Sequence, residues 1–177
     1  MTNERVATAV ARIQAVLRRK PELGLHDDTA ANARWLGATR CVARHPSGIA
    51  IATDMPADLG GEGEEVTPGW LFRAGIAWCA ATAVAITAAA RGIALAVLEV
   101  EVRSRPDLRG LFAMAGADGR VVSAASNDLR MPLRIAAAGV PAARMRTLVE
   151  DSCRCSPVPG AVVQATPIAL QVDMAAD

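Results

Sequence analysis

A chain of 177 residues fits one domain and is long enough to bury a sizeable core. Its 52% hydrophobic content excludes disorder as a global description. A net charge of +1 and an aromatic content of 3%, with no Tyr, leave no electrostatic or base-stacking basis for binding nucleic acid or an anionic membrane surface.

The N-terminal stretch TNERVATAVARIQAVLRRK is amphipathic and charged throughout, without the apolar core of a signal peptide. A cytoplasmic location is the expectation. Cys41, Cys79, Cys153 and Cys155 are then expected to be reduced, and catalytic or structural rather than a disulfide framework.

Val6, Val10, Ile13 and Leu17 recur at helical spacing and predict a first helix over Asn3–Lys20, stopped by Pro21. Residues 21–32 read as a loop or a short turn of helix. Two strands are expected at Thr39–Arg44 and Ile49–Thr53, joined by a turn at His45-Pro46-Ser47-Gly48. The next stretch, DMPADLGGEGEEVTPG, holds two Pro, four Gly and five acids, so it reads as a long loop with a solvated acidic face.

A long helix follows from Pro68 to about Arg91. Thr67 is its N-cap, Pro68 its first residue and Gly92 its stop. Beyond it, alternation predicts a strand over residues 95–103. A hairpin is expected with arms Leu111–Ala115 and Val121–Ala125, then a strand at Leu129–Ala137 with Pro132 at an edge or bulge. Pro141 starts a second helix that runs to about Cys153. Pro157–Val163 reads as turn-like, and Ile168–Val172 as a last strand. Strand runs segregated around two helices argue for an α+β fold.

The long helix is apolar on every side, and about 20 apolar residues suffice to span a membrane. Arg73 interrupts the run, and its side chains are mainly Ala rather than Leu, Ile or Phe. The reading adopted is a helix sheathed by protein, with a second subunit helping to cover it.

Cys79 lies near the middle of this helix. It is either an inert packing residue or a shielded thiol held for chemistry. Its same-face neighbours Gly75, Ile76, Thr82 and Ala83 carry no cation, so an activating group must come from elsewhere in the fold or from a partner chain. Cys153 and Cys155 form a C-x-C pair without the second pair that a structural zinc needs, and His26 and His45 match no standard zinc spacing. One of the pair is a candidate resolving thiol for Cys79. Cys41 is expected in the core. No G-x-S-x-G, H-E-x-x-H or phosphate loop is present. No metal or cofactor is expected.

The string DMPADLGGEGEEVTPGWLFRAGIAWCAATAV resembles the OsmC/Ohr family of osmotically inducible and organic hydroperoxide resistance proteins. The matching features are Leu59-Gly60-Gly61, the Thr67-Pro68 step, the cysteine-bearing helix, Gly92-Ile93, Leu98-Glu99-Val100 and Cys155-Ser156-Pro157-Val158. The resemblance spans roughly Thr39 to Val172. It implies antiparallel sheets around two central helices in an intertwined homodimer, with the thiol sites at the subunit interface. Residues 1–35 would form an N-terminal helical extension and residues 36–177 the OsmC-like domain.

It further implies reduction of a small organic hydroperoxide. The peroxidatic thiolate, here Cys79, becomes a sulfenic acid, and a second cysteine condenses with it; a thiol reductant then closes the cycle. The chain departs from the family pattern in three ways. Ser156 stands where the second cysteine would directly precede Pro-Val, with Cys155 one residue early, a shift of about 100° on a helix. Gly69 stands where the peroxidase branch has a Glu, and the activating Arg has only Arg40 and Arg44 as candidates. Three readings follow: the first is a thiol peroxidase using Cys79, resolved by Cys155, by Cys153 or by an external thiol, and the second a catalytically degenerate protein that binds a small apolar molecule at the dimer interface. A purely structural role is the third.

Overall fold

The computed structural model describes residues 3–174. Helix α1 (Asn3–Arg19) ends before Pro21, which opens a short 3₁₀ turn at Pro21–Gly24. Three strands follow, β1 (Asn32–Gly37), β2 (Arg40–Arg44) and β3 (Ala50–Thr53), in one antiparallel sheet of order β1-β2-β3. The β2–β3 turn forms as expected: His45 N–H donates to Ile49 O at 2.8 Å, and Gly48 takes φ +91°. Strand β1 is an addition to the predicted elements and runs across the junction between residues 35 and 36. Its residues are almost all exposed, so it carries no apolar-polar alternation to read.

Helix α2 (Pro68–Ala90) is the spine of the molecule. Thr67 Oγ1 accepts from Trp70 N–H at 3.2 Å, and Pro68 costs nothing in a first turn that has no internal acceptor. At the other end Gly92 has φ +67°, and Ile93 N–H donates back to Ala88 O at 2.8 Å, the 6→1 bond of a Schellman stop. Ile76, Ala80, Val84 and Ala88 make its buried stripe. Helices α1, α4 (Ala142–Arg154) and α5 (Pro157–Val163) and strand β4 (Leu95–Val100) pack on it.

Strands β4 and β5 (Leu133–Ala137) pair antiparallel and form the second sheet. The core lies where α2 ends: Ala88, Ile93, Met145 and Leu148, with Leu95, Ile135, Ala137 and Val140 against them. Met145, Leu148 and Ser152 form the buried face of α4, and Arg91 joins its Asp151 at 2.7 Å.

Five expectations are corrected. The stretch Pro157–Val163 is a helix, because Pro157 and Pro159 both fall in its first turn, where no N–H is needed. The 111–125 hairpin shrinks to the single bridge Ala115↔Val121, and Leu111 closes a helical turn, α3 (Leu108–Leu111). The strand expected from Leu129 starts at Leu133; upstream only Arg130 bridges, to Arg103. Residues 168–172 form no strand: Ile168, Leu170 and Val172 alternate as a strand would, but they lie exposed and pair with no strand among the described residues. Cys41 is half-buried in the central strand rather than a core residue.

Leu148 is fully buried, so Leu148→Ala is expected to cost about 2–5 kcal/mol, read as a lower urea midpoint at unchanged m-value.

Candidate functional site

Cys79 sits on the flank of α2, between the buried stripe and the exposed line of Trp78, Thr82 and Ile86. It is partly exposed and free. Two groups from the α4–α5 junction aim at its sulfur. The Ser156 hydroxyl donates to Sγ at 3.2 Å, and the Val158 N–H donates at 3.5 Å. Ser156 is almost wholly buried, at 1% exposure.

The sulfur borders an apolar cleft of about 570 Å³, lined among others by Gly75, Thr82, Ile86, Cys155 and Pro157. Trp78 stands between this cleft and a second one on the β4 side of α2, where Arg73 and Glu101 are found. Trp70 meets Trp78 edge to face, with centroids 6.4 Å apart.

The structure brings Cys79 and Cys155 to one cleft, but Ser156, not Cys155, holds the direct contact with the sulfur. Cys155 is exposed at the end of α4. Cys153 is half-buried, and burial pushes its thiol above the usual cysteine range, which disfavours it as a neutral-pH nucleophile. In the sequence Ser156 registered only as a missing thiol. The signal was there in its position before Pro157-Val158, but the hydroxyl's role needed coordinates.

The guanidinium candidates are engaged elsewhere or stand apart. Arg40 pairs with Glu65 at 3.4 Å and with Glu62 at 3.7 Å, so it ties strand β2 to the loop that leads into α2. Arg44 closes the same strand, opposite Asn32. Arg73 donates to Ser104 Oγ at 3.4 Å.

That loop is clamped by a residue the sequence did not single out. Asp54 is buried and accepts from Thr39 Oγ1 at 2.6 Å, Met55 N–H at 2.8 Å, Glu62 N–H at 2.7 Å and Gly63 N–H at 3.3 Å. These donors, the Thr39 hydroxyl first, hold its carboxyl down to about 2. The loop closes so tightly around it that a Cβ on Gly61 would lie 1.8 Å from Met55 O. The acidic stretch is therefore a folded strap rather than a freely solvated loop. It delivers Thr67 to the start of α2 and so sets the helix that carries Cys79.

The model of the family described as OsmC-like protein matches residues 61–171, more than half of the chain. No curated protein matches by sequence. Among solved structures, an OsmC-like protein from Mycoplasma pneumoniae superposes with a TM-score of 0.65 at 13% identity, covering 80% of this chain and 91% of that one. An organic hydroperoxide resistance protein from Legionella pneumophila gives 0.55 at 21% identity, covering 77% and 91%. One from Elizabethkingia anophelis, with crystallant-derived thiocyanate bound, gives 0.55 at 18%, covering 78% and 91%. At such identities the likeness is one of fold: helices with antiparallel sheets, as expected.

An Asp54 carboxyl held below its unfolded value of 3.8 stabilises the fold fully above about pH 4, and that stabilisation is lost as pH falls toward 2. Asp54→Asn is expected to lower the urea midpoint at pH 7 and to flatten its dependence on pH between 4 and 2, measured by denaturation across that window.

Proposed function

The chain belongs to the OsmC-like protein family, and from that premise we propose that it is a thiol-dependent peroxidase that reduces small organic hydroperoxides through Cys79. The observation that carries the reading is the sulfur itself. It faces an apolar cleft on one side and takes two hydrogen bonds from the α4–α5 junction on the other. An apolar cleft suits the alkyl part of an organic hydroperoxide better than hydrogen peroxide.

The Cys79 thiolate attacks the distal peroxide oxygen. The S–O bond forms, the O–O bond breaks, and the departing alkoxide takes a proton and leaves as the alcohol. Cys79 is then a sulfenic acid. Cys155 lines the same cleft and is exposed, so it is the resolving thiol in this reading. Its sulfur displaces the sulfenic oxygen as water and forms a disulfide, which an external dithiol reductant returns to two thiols. A reducing compartment such as the cytoplasm supplies that reductant.

The partner is a second copy of the chain. Trp78 is 59% and Ile86 42% exposed on the open side of α2, with Trp70 and Phe72 a turn or two earlier on the same helix. Apolar surface of this kind, continuous with the cleft, supports an intertwined homodimer whose interface borders the thiol. No nucleic acid, membrane, metal or cofactor enters the reading.

The wild-type protein is expected to consume cumene hydroperoxide in the presence of a dithiol. Cys79→Ser is expected to lower the rate by at least about 1,000-fold, since the residual peroxide reaction lacks its nucleophile. Cys155→Ser is expected to keep one stoichiometric oxidation of Cys79 and to lose the intramolecular disulfide, read by intact-mass spectrometry. Turnover that survives Cys79→Ser would remove the proposed nucleophile. Thermal stabilisation by the hydroperoxide without any consumption would favour the degenerate, ligand-binding reading.

A further inference from the structure

We propose that Ser156 is the hydrogen-bond donor that serves the Cys79 sulfur through the reaction. It would also determine how long the oxidised sulfur lasts. The proposal rests on the peroxidase reading for the oxidation step, but its first half concerns the reactivity of the thiol alone.

Ser156 is 1% exposed, and a buried hydroxyl without a partner is costly. Its side chain has one hydrogen-bond partner among the described residues, the Cys79 sulfur at 3.2 Å. A neutral thiol sulfur is a weak acceptor, whereas a charged sulfur is a strong one. The buried hydroxyl therefore gains most from the state in which Cys79 is ready to attack. Its backbone is held independently of that bond: Ser156 N–H donates to Cys153 O at 3.2 Å, and Ser156 O accepts from Gly160 N–H at 2.9 Å. The hydroxyl is thus aimed by the junction and not by the sulfur.

The same geometry has a second consequence. The side chain in direct contact with the sulfur is a hydroxyl, which cannot form a disulfide. Once the peroxide oxygen has moved to Cys79, the atom nearest the new S–O bond stabilises the sulfenic acid and does not consume it. Closure to a disulfide requires the neighbouring Cys155, which is exposed at the end of α4, to turn into the contact that Ser156 now fills. Alternatively, an external thiol must enter through the cleft. A thiol at position 156 would remove that delay.

Two variants of the 177-residue chain test this. Iodoacetamide alkylation of Cys79 is measured against alkylation of Cys155 in the same molecules, by peptide mass spectrometry. Ser156→Ala is expected to lower the Cys79-to-Cys155 ratio about 10-fold, the size expected for loss of one hydrogen bond to a charged acceptor. Loosened packing would raise that ratio instead, so an unchanged or higher value overturns the donor assignment. In Ser156→Cys, one equivalent of cumene hydroperoxide is expected to give a disulfide between Cys79 and the introduced thiol, without the dimedone-reactive sulfenic acid expected in the wild type.

If the hydroperoxide leaves wild-type Cys79 reduced while the Ser156→Ala ratio still falls, the peroxidase reading fails and the donor assignment stands. Diamide, a direct thiol oxidant, then takes the place of the peroxide in the second variant. Failure of both oxidants to join the two sulfurs overturns the contact geometry.

Discussion

Helix α2 has no polar side to turn to water. Its 23 residues contain one charge, Arg73, and its buried stripe is made of small side chains that let α4, α5 and β4 come close. One copy of the chain covers only part of it. Trp78 and Ile86 remain open on the far side, where a soluble helix would carry Lys or Glu. By length and composition the helix is also capable of crossing a membrane, yet four elements of the same chain pack against it. The rest of the molecule is arranged to hold this helix at both ends and to leave its thiol-bearing flank beside a cleft.

The two ends are held by different chemistry. At the start, the Asp54 strap gathers the backbone of residues 55–63 and hands the chain to the Thr67 cap. At the finish, the Gly92 stop drops Ile93 into the core, and Arg91 reaches Asp151 on α4. The position of α4 decides where the α4–α5 junction lies, and that junction supplies both donors to the Cys79 sulfur. The sulfur is therefore set by a folded core on one side and by a seven-residue helix on the other.

Much of this was legible before any coordinates. Thr67, Pro68 and Gly92 punctuate the long helix, so its ends were readable to within a residue. The β2–β3 hairpin was carried by its Pro-Ser-Gly turn. What escaped has physical reasons. Strand β1 is wet on both faces and shows no period. Helix α5 hides behind two prolines and a glycine that usually signal a turn. Residues 168–172 have the alternation of a strand but join neither sheet among the described residues. Asp54 looked like one acid among five, because only folding shows that four donors converge on it. For the site, the resemblance pointed to Cys79 and Cys155, and residue spacing warned that the second was displaced. That a serine hydroxyl contacts the Cys79 sulfur is a matter of distance, which no spacing rule conveys.

The central claim is that the open flank of α2 is covered by a second copy, so that the Cys79 cleft is part of an interface. Light scattering of the purified protein at micromolar concentration tests it most directly. The account predicts twice the mass of the chain, unchanged on dilution through that range. A particle of one chain's mass, stable with Trp78 and Ile86 in water, would contradict it.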